Sequence, residues 1–297
     1  MTLFIIGGTG FFGKSILDSF LRGKLKSYDI DDVVVLARNI DRFLNIYPEF
    51  NFQRKIHYIK GDIKTIGKLP YADIVIHAAT STNQTHYKLN SSIERLNIEL
   101  GASNYIKIAK KIHNNSKIVY CSSGAVYGKQ PDHILKIKED YPLQDLDEIS
   151  LLKKDYALGK RNAEKLVLKS GEAGLNFSIA RCFAFYGKYL PKDGHFAYSS
   201  FLESAKNGKD IIVNANHEVI RSYMHADNLV ESLIKIALNS NPSCPIYNVG
   251  SDQAISIFDL AEEIAEKHDV KVIKKEQIDY DNVDRYVPNT DKLKRLG

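Results

Sequence analysis

The sequence contains little cysteine, and the few cysteines it has are scattered. Cys121, Cys182 and Cys244 are an odd number, lie far apart and include no C-x-x-C pair. Such a set argues against a disulfide framework and against a zinc site, and it suits a reducing compartment. The sequence therefore predicts neither structural disulfides nor a metal centre.

Long apolar runs and dense blocks of charge are absent as well. No apolar stretch is long enough to cross a bilayer, and the chain runs directly into the strand-like LFII (3–6), so we expect no leader peptide. The formal net charge is only +5, and Lys and Arg are spread along the chain. These absences argue against membrane and nucleic-acid partners and predict a cytoplasmic protein that can accommodate a small anionic molecule.

What the chain does contain is an alternation of buried strands and amphipathic helices. Short apolar runs without polar alternation are typical of strands buried on both faces. Helix-like segments with apolar residues three and four positions apart separate several of them. The order predicts an α/β fold with a doubly wound, Rossmann-like parallel sheet. The predicted strands are 3–6, 33–37, 56–59, 73–79, 117–123 and 177–183, and the helices are 13–23, 93–112 and 155–171.

The pattern changes after about residue 184. Pro, Gly and aromatic residues become frequent, and short strands alternate with helices such as 196–208. We predict a smaller, mixed α/β C-terminal lobe that binds the substrate. The dinucleotide-binding domain would then comprise residues 1–183 with a returning segment at roughly 223–250, and the lobe would comprise 184–222 and 251–297.

A glycine-rich turn follows the first predicted strand. GGTGFFG places Gly7, Gly10 and Gly13 in a G-x-x-G-x-x-G spacing that opens a helix. Gly7 permits a tight turn, Gly10 lets the backbone approach a pyrophosphate, and Gly13 lets the helix pack close to the sheet. Three glycines can also form a turn and nothing more. At the start of an alternating α/β chain they favour a dinucleotide site, which includes Phe11 and Phe12.

The end of the second strand bears on the choice of dinucleotide. An NAD site usually has an acid there that binds the ribose 2′-hydroxyl, whereas this chain has Ala37, Arg38 and Asn39. A guanidinium binds a 2′-phosphate through paired hydrogen bonds, and a carboxylate would repel it. Arg38 could instead be a solvated charge at a strand end. The missing acid favours NADP(H) over NAD, with Arg38 and Asn39 as contacts.

Two further strand ends complete the predicted cofactor site. GDI (61–63) would set the Asp62 carboxylate beside the adenine amino group, and HAAT (77–80) supplies small residues that let the nicotinamide-side ribose and phosphates pass closely. His77 is interpreted as a packed histidine at a strand end. The predicted contacts are Asp62, Ile63, Ala78, Ala79 and Thr80.

These motifs are ordered and spaced as in one known family. Together with Asn97 in RLNIELGA, CSSGAVYG (121–128) and YALGK (156–160), they resemble the extended short-chain dehydrogenase/reductase family, in its nucleotide-sugar epimerase, dehydratase and reductase branch. The resemblance covers nearly the whole chain. It implies an enzyme that acts on a nucleotide-diphosphate sugar, with Asn97 and Cys182 beside the cofactor, and a homodimer that pairs helices of the main domain, with 93–112 and 155–171 as candidates. Its later motifs are RCFAFYG (181–187), IRSYMHADNLV (220–230), YNVGS (247–251) and RYVPNTDKLKRLG (285–297).

YALGK supplies the predicted chemistry. Positions i and i+4 of a helix share a face, so Tyr156 and Lys160 can point into one site. A phenol titrates near ~10, and a neighbouring ammonium lowers that value toward the working range of a proton-transfer group. The resemblance implies that Ser123, Tyr156 and Lys160 are catalytic and that Tyr156 and Lys160 also contact the cofactor. A surface helix is the alternative explanation for Y-x-x-x-K alone.

The resemblance also implies substrate contacts. Ser123 would orient the sugar oxygen, Arg221 and Arg285 would bind the phosphates and ribose, and His195 would line the nucleotide pocket. Either arginine could instead be a surface charge, and a histidine beside aromatic residues is often structural.

The neighbours of Ser123 bear on the reaction. Resembling 4,6-dehydratases carry Asp-Glu directly after the catalytic hydroxyl, whereas this chain has Gly124-Ala125. We therefore predict hydride exchange at C4 without elimination, and Arg38 favours NADPH-dependent reduction of a nucleotide-linked 4-keto-6-deoxysugar in surface-polysaccharide biosynthesis. A 4-epimerase that retains NAD(P) is the alternative. A non-catalytic dinucleotide sensor is the third, and the Tyr156–Lys160 pair argues against it.

Overall fold

A parallel sheet of seven strands forms the centre of the computed structural model, which describes residues 1–80, 91–191, 196–274 and 278–297, apart from the side chains of residues 151 and 152. From one edge to the other, its strands comprise residues 246–249, 177–182, 117–123, 74–77, 2–6, 32–37 and 56–60. The predicted Rossmann-like α/β fold is confirmed. The strands are β1 Thr2–Ile6, β2 Asp32–Ala37, β3 Ile56–Lys60, β4 Ile74–His77, β5 Lys117–Ser123, β6 Phe177–Cys182, β7 Phe185–Tyr186, β8 Ile211–Val213, β9 His217–Arg221, β10 Met224–His225, β11 Ile246–Val249, β12 Ile255–Ser256, β13 Val272–Lys274 and β14 Asp279–Tyr286.

Helices cover both faces of this sheet, because successive side chains of each strand point to opposite sides. In β1, Leu3 and Ile5 belong to the core under the helices 11–21 and 226–238, whereas Phe4 and Ile6 belong to the core under the helices 91–112 and 151–172. No described helix combines the length and the apolar character needed to cross a membrane. The helices are α1 Phe11–Leu21, α2 Ile40–Ile46, α3 Ser91–Ile112, α4 Leu151–Glu172, α5 Ala197–Lys206, α6 Ala226–Leu238, α7 Ile257–His268 and α8 Asp291–Lys294.

A smaller core lies in the C-terminal third of the chain. Side chains of α5 and α7, among them Phe201 and Phe258, pack there with Ile211 of β8. Two small sheets flank this core, one with the order β12-β9-β14 and one that pairs β13 with β8. The chain nevertheless returns to the main sheet through α6 and β11, and Leu293 of α8 packs into the main core. The division into 1–183 with 223–250 and 184–222 with 251–297 stays a prediction.

Candidate active site

The glycine turn joins β1 to α1 at the carboxyl edge of the sheet. Gly7 has a φ of +87°, and a Cβ there would lie 2.6 Å from Ala79 Cα, so no larger residue fits. A Cβ on Gly13 would collide with the backbone of Gly8. Gly13 is therefore needed because the start of α1 packs closely against the glycine-rich loop. The sequence predicted instead that Gly13 lets the helix pack close to the sheet. Gly10 is exposed, and the nearest atom to its Cβ position, Gly7 O, lies 3.5 Å away.

A crevice of about 420 Å³ opens beside this turn. Eight residues predicted to bind the dinucleotide line it: Gly7, Gly10, Arg38, Asp62, Ile63, Ala79, Thr80 and Asn97. Phe12 points elsewhere, because its ring packs edge-on against Phe185, with ring centroids 5.3 Å apart, beside the main core. Phe11, Gly13, Asn39 and Ala78 do not line the crevice either. Thr9, Lys64 and Glu94 also line the crevice, although their roles were not predicted from the sequence.

Lys64 holds two of the predicted residues in place. Its Nζ donates a hydrogen bond to Asn97 Oδ1 at 2.7 Å and lies 3.6 Å from Asp62 Oδ2. The backbone N–H of Lys64 also donates to Asp62 Oδ1 at 3.0 Å. The segment that follows β3 is thereby joined to helix α3. Because Lys64 directly follows the GDI motif, its position in the sequence was the one available signal of this role.

Arg38 lies exposed at the end of β2, on the rim of the crevice. Within the described part of the chain, no group accepts a hydrogen bond or an ion pair from its guanidinium. Asp41, the next acid along the chain, is paired with Lys60 instead, at 2.7 Å. The cation at this strand end is therefore available to an anion.

Ser123, Tyr156 and Lys160 lie together where β5 meets α4. Lys160 is only 2% exposed, its Nζ donates to Cys121 O at 2.8 Å, and it lies 5.8 Å from the centre of the Tyr156 ring. Burial raises the pKa of Tyr156, and a hydrogen bond with Ser123 opposes that rise. The lowering of this pKa that was expected from a neighbouring ammonium is therefore wrong, because burial has the larger effect. Burial also lowers the pKa of Lys160, against the field of nearby thiols and carboxylates. Cys182 of β6 pairs with Ser123 of β5 and lies in this group. Like Tyr156 and Lys160, it does not line the crevice.

A second phenol, Tyr286, lies beside this group. Its Oη donates to Cys182 O at 3.4 Å, its ring centroid lies 4.5 Å from that of Phe183, and Ser123 lowers its pKa against a rise caused by burial. A Cβ on Gly124 would lie 2.6 Å from Tyr286 Oη and 2.7 Å from Phe183 Cζ. The position after Ser123 therefore has no room for a side chain. Tyr286 was missed, although it directly follows the predicted Arg285.

The two predicted arginines lie on neighbouring strands, β9 and β14. The Arg221 guanidinium donates to Asp284 Oδ2 at 2.7 Å and is part-buried. In the strand register Arg221 is opposite Tyr286 and Arg285 is opposite Ile220, so the two arginines point to opposite faces of this small sheet. Their shared role in substrate binding stays a prediction. The predicted His195 lies outside the described residues.

Beneath the site, a buried ion pair joins α4 to the sheet. Arg181 of β6 donates through Nη2 to Glu164 Oε2 at 2.8 Å and through Nε to Glu164 Oε1 at 3.1 Å. Ser122 Oγ donates to the same carboxylate at 2.5 Å. Glu164 follows Lys160 by one helical turn, and Ser122 precedes Ser123. The pair therefore sets the position of α4 against the strand that carries Ser123.

His77 occupies the end of β4 and is fully packed. Its ring lies 5.3 Å from the rings of both Tyr105 and Tyr120, and burial, aided by the charge of Lys160, lowers its pKa to about 3. It is therefore neutral at physiological pH, as its interpretation as a packed histidine requires.

The glycine turn, the crevice at the carboxyl ends of parallel strands and the adjoining Ser–Tyr–Lys group define an NAD(P)-dependent enzyme of the short-chain dehydrogenase/reductase type. Comparison with known proteins agrees. The model of the NAD dependent epimerase/dehydratase family matches residues 3–250, so the chain belongs to that family.

Individual relatives carry different activities. UDP-glucuronic acid decarboxylase 3 of Arabidopsis thaliana is 25% identical over 269 residues, which cover 90% of this chain and 74% of the relative. The dTDP-D-glucose 4,6-dehydratase of Dictyostelium discoideum is 27% identical over 279 residues, 88% of this chain and 61% of the relative. The crystal structure of UDP-glucose 4-epimerase from Thermotoga maritima superposes with a TM-score of 0.79 at 18% identity, over 100% of this chain and 93% of the other. The likeness to the solved structure shows the fold, and the reaction must be argued from the site.

Proposed function

We propose that the protein is an NADPH-dependent reductase that converts the 4-keto group of a nucleotide-linked 4-keto-6-deoxysugar to an alcohol, in the synthesis of surface-polysaccharide sugars. The observation that carries the proposal is the exposed, available guanidinium of Arg38 at a strand end that lacks an acid. A dissociable NADPH suits a reductase, because each turnover consumes one reduced cofactor.

The residues of the crevice fit a dinucleotide. Gly10, exposed and without a side chain, leaves room for a close approach to the turn, the N-terminal N–H groups of α1 suit a pyrophosphate, and Arg38 suits a 2′-phosphate. Asp62 and Asn97, held by Lys64, would bind the adenosine part. When bound there, NADPH supplies the hydride.

The remaining chemistry falls to side chains of this chain. Tyr156 donates a proton to the ketone oxygen, because burial raises its pKa and keeps the phenol protonated at neutral pH. Ser123 donates a hydrogen bond to the same oxygen, and Lys160 restrains the phenol and the cofactor ribose. The closed space at Gly124 leaves no place for an added acid, so elimination is disfavoured. The diphosphate of the sugar nucleotide would lie toward Arg221.

The direct test follows NADPH oxidation with UDP- and dTDP-linked 4-keto-6-deoxyglucose. Loss of reduced-nicotinamide absorbance that requires both the keto sugar and NADPH would support the reductase. Protein without keto sugar, and keto sugar with NADPH but no protein, are the controls. No oxidation with any of these nucleotide forms, with NADPH or NADH, would reject it.

A 4-epimerase is the second candidate, because the same three residues and the same closed position at Gly124 serve an enzyme that oxidises and re-reduces one carbon. Such an enzyme retains its cofactor. Denaturing the purified protein and identifying any released dinucleotide distinguishes the two. Stoichiometric NAD(P) and product formation without net redox change would favour the epimerase.

The role of Arg38 can be measured separately. Arg38→Ala should raise the KM for NADPH by roughly ten- to a hundredfold, because charge-assisted hydrogen bonds to the 2′-phosphate are lost. The KM for NADH should change little. Arg42→Ala removes an exposed arginine of α2 and is the matched control. An equal loss with both cofactors would show that Arg38 does not bind the 2′-phosphate.

We also infer a homodimer that buries helices α3 and α4. Leu96 and Leu100 of α3 are 52% and 46% exposed, and Leu166 of the adjacent α4 is 37% exposed. Leu96→Glu should convert a dimer to a monomer in light scattering, because a buried charge opposes association. Leu135→Glu, at a loop leucine that is 64% exposed, is the control. A monomeric wild-type protein would refute the inference.

A further inference from the structure

Glu94 is a buried carboxylate in the wall of the crevice, and neither its position nor its charge was predicted. It lies in the first turn of α3, is 6% exposed and lines the crevice together with Thr80 and Asn97. Thr80 Oγ1 donates to Glu94 Oε1 at 3.4 Å. A carboxylate in the first turn of a helix is stabilised by the helix dipole. An exposed carboxylate would gain the same stabilisation without the free-energy cost of burying a charge, so the dipole alone does not explain why Glu94 is buried.

Glu94 lies close to the reaction end of the site, because the start of α3 packs on α4 beside Lys160: a Cβ on Gly159 would lie 3.1 Å from Arg95 Cα. Its negative charge raises the pKa of Lys160 and the pKa of Tyr156. The other buried carboxylate near Lys160, that of Glu164, is held in the ion pair with Arg181. The anion Glu94 and the cation Lys160 therefore lie near one another where α3 meets α4, although Lys160 itself does not line the crevice, and Arg38 lies where β2 stops.

Resting on the dinucleotide site proposed above, we propose that Glu94 sets the relative affinity of the protein for the oxidised and reduced cofactor. Oxidised and reduced dinucleotides carry the same phosphates and riboses and differ in the charge of the nicotinamide ring, which is positive only when oxidised. A fixed charge near Tyr156 and Lys160 therefore discriminates between the two forms, and a charge at the adenosine end does not. Lys160 disfavours the cationic ring, and Glu94 offsets that effect, so the oxidised product and the reduced substrate both bind.

The size of the effect follows from electrostatics in a partly buried site. At the effective dielectric constant of such sites, one fixed unit charge several ångströms from the cationic ring changes the dissociation constant of the oxidised cofactor on the order of tenfold. Glu94→Gln removes the charge and keeps an oxygen that can accept from Thr80. It should raise the ratio of Kd for NADP⁺ to Kd for NADPH about tenfold.

The experiment measures binding and needs no turnover. After removal of any copurified dinucleotide, the Kd of NADPH is taken from its own fluorescence, free of tryptophan emission because the chain has no Trp, and the Kd of NADP⁺ from calorimetry. Glu99→Gln is the matched control, since Glu99 lies on the same helix, binds Arg95 and Asn162, and does not line the crevice. Its ratio should equal that of the wild type.

A second variant fixes the sign. Lys160→Met removes the opposite charge and should lower the ratio of Kd for NADP⁺ to Kd for NADPH. A general loss of structure cannot shift this ratio in opposite directions in the two variants. If Glu94→Gln weakens both forms by the same factor, Glu94 contributes contact and not charge discrimination, and the inference is wrong. If the wild-type protein binds no dinucleotide, the proposed function itself is refuted.

Discussion

Tyr156→Phe is expected to lower kcat for keto-sugar reduction by about a hundred- to ten-thousandfold. The substitution removes the proton donor and retains the ring against which Lys160 lies. Binding of the dinucleotide should therefore change little. Steady-state kinetics with NADPH and the keto sugar, combined with fluorescence titration of NADPH, separates the two effects.

Tyr280→Phe is the matched control for this substitution. Tyr280 lies on β14, as Tyr286 does, but it is 64% exposed, and loss of its hydroxyl should leave kcat unchanged. If Tyr156→Phe retains most of the wild-type turnover, Tyr156 is not the proton donor. Unchanged cellular function of that variant would favour a dinucleotide sensor over an enzyme.

Glu164→Gln is expected to destabilise the protein by about 3–5 kcal/mol, because it leaves the charge of Arg181 buried without its counter-charge. The side chains of Arg181 and Glu164 are only 6% and 4% exposed, so water cannot replace the lost partner. The free energy of unfolding from urea titration measures the effect. Activity should fall as well where the fold survives, since the pair positions α4 beneath Lys160.

Two comparisons test the cause of this loss. Glu231→Gln breaks the surface pair with Lys235 one turn along α6 and should cost less than about 1 kcal/mol. The double variant Glu164→Leu with Arg181→Met removes both charges and should recover part of the stability lost in Glu164→Gln. A Glu164→Gln protein within about 1 kcal/mol of the wild type would contradict the assigned role.

The parts that could be predicted are those in which neighbouring residues decide the structure. Continuous apolar runs such as VVVLA (33–37) give strands buried on both faces wherever they pack, and the glycine turn requires a left-handed φ at Gly7. Tyr156 and Lys160 share a helix face because of their spacing alone. The observed helix bounds differ from the predicted ones by a few residues. Helix α4, for example, begins at Leu151, whereas the prediction placed its start at residue 155.

The remainder depends on contacts between distant segments. Strands of two or three residues, such as β7 and β8, are too short to show a period. The enclosure of Gly124 by Tyr286 joins positions far apart in the chain, and the hydrogen bond between Lys64 and Asn97 spans two elements. No local pattern distinguishes Glu94 from a surface acid at a helix start, and only the packed fold reveals that it is buried.

The enclosed backbone at Gly124 has a consequence for redesign. Grafting a carboxylate there by one substitution would drive it into the Tyr286 hydroxyl and the Phe183 ring. New chemistry at this point would require both aromatic side chains to move aside or to be made smaller. Strands β6 and β14, which flank those rings, therefore constrain how easily this scaffold could acquire a water-eliminating activity in the laboratory.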